Sequence, residues 1–108
     1  MPNVTLYVES GAMPSDESLE ALTDQCVELC TSTLQAALEN VHIIYVSVRK
    51  GRGHPVYAEI LFREEPFRPP AVMGHFMQQV SDAVADTIGL TARIRCFSFS
   101  KQHIHALN

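Results

Sequence analysis

The chain has no tryptophan, five glycines, three cysteines and only eight lysines and arginines in 108 residues. Each shortage excludes something. Eight basic residues stand against twelve acidic ones, and the formal net charge is -4. With no basic stripe and no aromatic run on which bases could stack, nucleic acid is not expected as a partner. No apolar run approaches the roughly 20 residues of a membrane span, so no membrane association is expected. The start, Met1-Pro2-Asn3-Val4-Thr5-Leu6, has neither a basic segment nor an apolar one of the kind a secretory signal carries. The odd cysteine count (Cys26, Cys30, Cys96) without an export signal reads as reduced thiols in the cytoplasm. Cys26 and Cys30 share a helical face and could hold half a metal site. No matching Cys/His pair accompanies them, and they read instead as small buried apolar groups. His42, His54, His75, His103 and His105 show no metal-ligand spacing either, so no metal and no other cofactor is expected.

What is present is enough for one core. Apolar residues make up 46% of the chain, and 108 residues suit a single domain spanning 1–108. Such a domain buries about 65% of its unfolded surface, which makes oligomerisation a useful source of stability.

The hydrophobic pattern is written twice. Val4 to Val8 alternates as a strand. Ser15 then reads as a helix N-cap, with Asp16 and Glu17 in the first turn to meet the helix dipole. Leu19, Leu22, Cys26, Leu29, Cys30, Thr33 and Ala37 follow at helical spacing, and Ile43 to Val48 is a second strand. After the turn Lys50-Gly51-Arg52-Gly53-His54-Pro55, Val56 to Phe62 reads as a third strand. A charged loop, Arg63 to Pro70, leads into a helix that opens on its prolines. Val72, Phe76, Val80, Val84 and Ile88 mark the apolar stripe, Gly89 the stop. Ile94 to Phe99 is the fourth strand and Lys101 to Asn108 a tail. Each half is strand, helix, strand, with a crossover long enough for a right-handed parallel βαβ unit. The predicted fold is α/β: tandem βαβ units forming a four-stranded sheet with two helices on one face. The other face, with Tyr45, Tyr57, Phe97 and Phe99 expected to be available there, calls for a partner, and a closed homo-oligomer fits.

The start Met1 to Glu9, the segment Tyr57-Ala58-Glu59-Ile60-Leu61-Phe62 through Arg68, and the tail Lys101-Gln102-His103-Ile104-His105-Ala106-Leu107 resemble the tautomerase superfamily. That group includes 4-oxalocrotonate tautomerase, macrophage migration inhibitory factor, the 3-chloroacrylic acid dehalogenases and 5-carboxymethyl-2-hydroxymuconate isomerase, whose tail is the most similar. The resemblance implies a homotrimer that moves a proton on a small 2-oxo or dienol carboxylic acid without a cofactor, as in the breakdown of aromatic compounds. Pro2, freed by loss of Met1, would be the acid/base. A free α-amine titrates near 7.7–8.0, and burial or nearby cations lower that value toward the working pH. The alternative for Pro2 is a residue that merely opens a strand.

The resemblance also implies that Arg68, just before the second helix, binds the substrate carboxylate, with Arg63 as an additional arginine. A guanidinium suits that task because it grips a carboxylate with two parallel bonds. The alternative is surface arginines paired with Glu64 or Glu65. Arg95 and Phe97, on one face of the last strand, would wall the pocket, often that of a neighbouring subunit; interface packing is the alternative. Tyr45 is either a hydroxyl acid or a core tyrosine. The chain departs from the dehalogenases in its first helix, which lacks a histidine, and in its tail, which lacks a glutamate to activate water. Two rival functions stay open: a hydratase or dehalogenase on the same scaffold, and a non-catalytic oligomeric binding protein.

Overall fold

A computed structural model describes every residue from Met1 to Asn108. The element order is β1 (Asn3–Glu9), α1 (Asp16–Ser32), β2 (His42–Val48), β3 (Val56–Arg63), α2 (Pro70–Ile88) and β4 (Ala92–Phe99), with short 3-10 turns at Ser10–Ala12, Leu38–Asn40 and Lys101–His103. The four strands form one sheet in the order β2-β1-β3-β4. β1 runs parallel to β2, and β3 parallel to β4. These are the two βαβ units read from the sequence. Where the units meet, β1 and β3 are antiparallel, with Asn3 opposite Leu61 and Tyr7 opposite Tyr57.

Central position explains the cleaner alternation of β1 and β3. Val4, Leu6 and Val8, with Val56, Ala58, Ile60 and Phe62, point to the helices and are buried. They meet Leu22, Cys26 and Cys30 of α1 and Met73, Phe76, Val80, Ala83 and Val84 of α2 in one continuous core. Removing a side chain such as Leu6 from water contributes about 2 kcal/mol. The edge strands β2 and β4 are only half covered, and their apolar patterns are correspondingly mixed.

The helix ends follow local chemistry. The Ser15 hydroxyl accepts a hydrogen bond from the Ser18 backbone N–H at 3.2 Å, satisfying an otherwise orphaned donor at a gain of about 1 kcal/mol. α2 opens on Pro70 and stops at Gly89, whose φ of 67° needs no Cβ to be accommodated. α1 stops at Ser32, earlier than Ala37 in the periodic pattern. Its last turn widens: Thr33 and Leu34 N–H both donate to the Leu29 carbonyl, and Ala36 N–H donates to Cys30. Gln35 then takes a φ of 53°. That turn frees the Leu34 carbonyl for a use described below.

The sheet's second face carries no helix. Tyr7 and Tyr57 stack there, 5.8 Å apart and 17° from parallel. Ile44, Phe97 and Phe99 are exposed on it. Tyr45 corrects one expectation. It points to the helix side, where its hydroxyl lies 2.8 Å from Thr23 Oγ1 and donates to the Leu19 carbonyl. It is a core tyrosine. No helix is long and apolar enough to cross a membrane.

Candidate active site

Pro2 is fully buried at the entry to β1. Its carbonyl accepts from the His42 N–H at 3.1 Å, which fastens the first residues to β2. Proline has no N–H to leave unpaired, so burial at a strand start costs nothing in hydrogen bonding. In the unprocessed chain its nitrogen is the amide that links it to Met1.

The chain end that precedes Pro2 lies in a concavity of about 280 Å³, whose lining includes Met1, Gln35, Arg63, Phe67, Arg68 and Ile104. Arg63 is supplied by the end of β3. Arg68 is supplied by the loop to α2, in a tight turn closed by the hydrogen bond from Arg68 N–H to the Glu65 carbonyl. Its guanidinium is held by two backbone acceptors. Arg68 Nε donates to the Leu34 carbonyl and Nη1 to the Arg63 carbonyl, both at 2.8 Å. The Phe67 ring lies 5.2 Å away on one flank. Neither arginine forms an ion pair with Glu64 or Glu65, the chain's one ion pair joining Lys50 to Glu9, although Glu65 lines the same concavity and its charge favours the Arg68 cation. A guanidinium has five N–H groups and two of Arg68's are occupied. The rest, held on a fixed plane, are free for a carboxylate.

This environment acts on the terminal amine. Burial lowers its pKa from the ordinary 8.0, and the positive charges of Arg63 and then Arg68 lower it further. Each of these disfavours the ammonium form. The thiols are driven the opposite way. Burial raises Cys26 to about 12 and Cys30 and Cys96 to about 11, so none is a thiolate near neutral pH.

The sequence-predicted residues thus fall in two places. The amino terminus, Arg63 and Arg68 come together. Arg95 and Phe97 do not join them within one chain. They line a separate groove of about 940 Å³ on the uncovered sheet face, with Arg52, His54, Tyr57 and Arg93. The β3–β4 register sets Arg95 opposite Glu59 and Phe97 opposite Leu61. Sequence reasoning passed over Gln35 and Phe67. Nothing in the sequence pattern marks Gln35, and Phe67 is distinguished there only by standing next to Arg68. The tail, singled out by resemblance, does reach the site. Ile104, Ala106 and Asn108 line the concavity, and a second hollow of about 440 Å³ lies on the other side of Met1 and the tail.

By sequence the chain matches no protein-family model and no curated protein. By structure the likeness is extensive. A fused 4-OT solved as a symmetric trimer is similar with a TM-score of 0.80 at 17% identity, over 98% of this chain and 94% of that one. Pt0534, solved after inactivation by 2-oxo-3-pentynoate, gives 0.82 at 16% identity over 96% and 90%. Malonate semialdehyde decarboxylase gives 0.75 at 10% identity over 99% and 92%; it was solved as wild type, inactivated, and with its first residue, a proline, changed to alanine. The chain shares the fold of these solved structures. The names these neighbours carry include 4-OT and a malonate semialdehyde decarboxylase with decarboxylase and hydratase activities.

Proposed function

We propose that the chain is a cofactor-independent tautomerase or isomerase that moves a proton along a small 2-oxo or dienol carboxylic acid, with Pro2 as the acid/base once Met1 is removed. One observation carries this reading. Met1, the residue bonded to Pro2, lies in a concavity with two arginines that form no ion pair, and that environment lowers the pKa of the Met1 amine. Loss of Met1 would put a secondary amine at the place where the chain now enters the sheet. It would also remove a residue that lines both hollows.

The chemistry follows from that arrangement. Arg68, with Arg63 beside it, binds the substrate carboxylate and so fixes which carbons face Pro2. The neutral pyrrolidine nitrogen takes a proton from the carbon next to the carbonyl, or from the enol hydroxyl in the reverse sense. It returns that proton to another atom of the conjugated system. The arginines help twice, since their charge offsets the negative charge that develops on the enolate. Proline suits the task because its ring holds the nitrogen in one place.

Arg95 and Phe97 enter this reading only through another copy. The unpartnered sheet face, the two free strand edges and the trimer of the fused 4-OT neighbour support a homotrimer. In such an assembly β4 of one copy could wall the Pro2 cavity of the next. A cytoplasmic location and a place in the degradation of aromatic compounds belong to the same proposal.

The pH dependence tests the reading. The base must be neutral, and once Met1 is lost the burial and the Arg63 and Arg68 charges that lower the pKa of the Met1 amine would act on the Pro2 amine in the same direction. For ketonisation of phenylpyruvate or 2-hydroxymuconate, kcat/KM is therefore expected to rise with pH and level off, with its midpoint displaced downward from that of a free prolyl amine. Arg63→Gln removes one of the charges that lower the pKa, so its midpoint should move up. A midpoint unmoved by Arg63→Gln would remove the terminal amine from the mechanism.

A further inference from the structure

We propose that Gln35 is a substrate-contacting residue of the same cavity, its side-chain amide donating to the oxygen on the carbon next to the carboxylate held by Arg68. The inference rests on the reading of that cavity as a 2-oxo or enol acid site. It begins from a backbone anomaly. Gln35 has a φ of 53°, and the other non-glycine residue with positive φ is the terminal Asn108. A helix ending in the left-handed region ordinarily uses glycine, or asparagine, whose short side chain eases the conformation. Glutamine brings no such relief. Strained conformations of this kind concentrate where a side chain is needed for function.

The surroundings say what it is needed for. Gln35 lines the concavity together with Met1, Arg63 and Arg68. Its side chain is exposed and takes part in none of the chain's side-chain hydrogen bonds, so both its donor and its acceptor are free. The neighbouring Leu34 carbonyl accepts from Arg68 Nε at 2.8 Å, which places the Gln35 backbone one peptide from the guanidinium. In a 2-oxo acid the carboxylate and the oxo group sit on adjacent carbons. Arg68 and Gln35 line one concavity, so a cation and an amide donor are available to those two groups. Ala36 and Ala37, with small side chains, also line the cavity. An amide donor aimed at an oxygen that gains charge in the enolate stabilises that charge without adding a titrating group.

Binding separates this role from a structural one. Phenylpyruvate and 3-phenylpropionate share the ring and the carboxylate, and only the first has the oxo group. Both are titrated calorimetrically into the parent chain, Gln35→Gly and Gln35→Asn. Glycine relieves the backbone, so Gln35→Gly is expected to melt no lower than the parent. It should nevertheless bind phenylpyruvate roughly tenfold more weakly, the worth of about one hydrogen bond, while its affinity for 3-phenylpropionate stays within about twofold. Gln35→Asn, which keeps an amide and tolerates the conformation, should recover part of the phenylpyruvate affinity. Equal losses for the two acids, no loss for either, or a parent chain that does not distinguish them would each overturn the assignment. The measurement needs no turnover. An error in the Pro2 mechanism shows separately, as activity that survives Pro2→Ala.

Discussion

Pro2→Ala is expected to lower kcat/KM for phenylpyruvate ketonisation by about 10²–10⁴, the usual worth of a positioned general acid/base, and to leave the fold intact. The substitution is informative because alanine, like proline, is small enough to permit removal of Met1. The variant therefore still presents a free amine at residue 2. What it loses is the ring that makes that amine secondary and holds its nitrogen in one orientation. The Pro2 carbonyl bonds to the His42 N–H through the backbone, so residue 2 remains fastened to β2 in the variant. The ring is fully buried, and deleting its methylenes should cost about 1–2 kcal/mol of stability. Circular dichroism and thermal melting check that the protein stays folded. Activity equal to that of the parent would reduce Pro2 to a strand opener.

The second large effect is expected at Arg68. Arg68→Ala should raise KM for carboxylate substrates by roughly 10–100-fold, and KM for neutral ketones little, because a charged bidentate contact is lost in one case only. The structure adds a distinction that the sequence could not. Arg68 Nε and Nη1 are committed to the Leu34 and Arg63 carbonyls, and these bonds set the plane in which the remaining N–H groups point. Lysine carries the charge but cannot span both carbonyls and present a fork. Arg68→Lys should therefore recover little of the loss. It should also be less stable than the parent by about 2 kcal/mol, since a hydrogen bond from a charged donor contributes on that order. Steady-state kinetics with paired acid and ketone substrates, together with thermal melts, read both effects. Full rescue by lysine would mean that the arginine supplies only net charge.

Much of the fold was legible because two periodicities are repeated. Alternation in Val4-Leu6-Val8 and Val56-Ala58-Ile60-Phe62 is strict where strands are central, with one face of each strand against helices and the other uncovered. Ser15, Pro70 and Gly89 mark helix ends by chemistry that acts within a few residues. Harder to see was the end of α1. Its apolar spacing runs on to Ala37, whereas the helix stops at Ser32 because the chain widens its last turn and reverses at Gln35. No residue there announces a stop, and what holds the turn includes Arg68, 34 positions away. Tyr45 was ambiguous for a related reason. On a half-buried edge strand either parity is plausible, and the Thr23 hydroxyl that receives it lies on another element.

The site divides in the same way. Arg68 and Arg63 are implied by the family resemblance rather than by any local pattern, and both line the concavity that holds Met1. That they form no ion pair could not be read from a sequence in which two glutamates follow Arg63 directly. Arg95 and Phe97 share a strand face, as their spacing requires. Their distance from Arg68 within one chain follows from strand order, which alternation does not encode.

The whole account turns on whether residue 2 carries a free, reactive nitrogen. Intact mass followed by treatment with 2-oxo-3-pentynoate, the reagent that inactivates Pt0534, tests this in one measurement. A neutral amine adds to the conjugated alkyne, forming a carbon–nitrogen bond while its proton moves to carbon, so the mass rises by that of the whole reagent. The three thiols, all raised to about 11 or 12, offer no competing thiolate near neutral pH. The expected result is a chain lacking Met1 that takes up one reagent molecule, mapped by peptide sequencing to Pro2, with loss of activity in step. A chain that keeps Met1, or that binds the reagent elsewhere while activity persists, would contradict it.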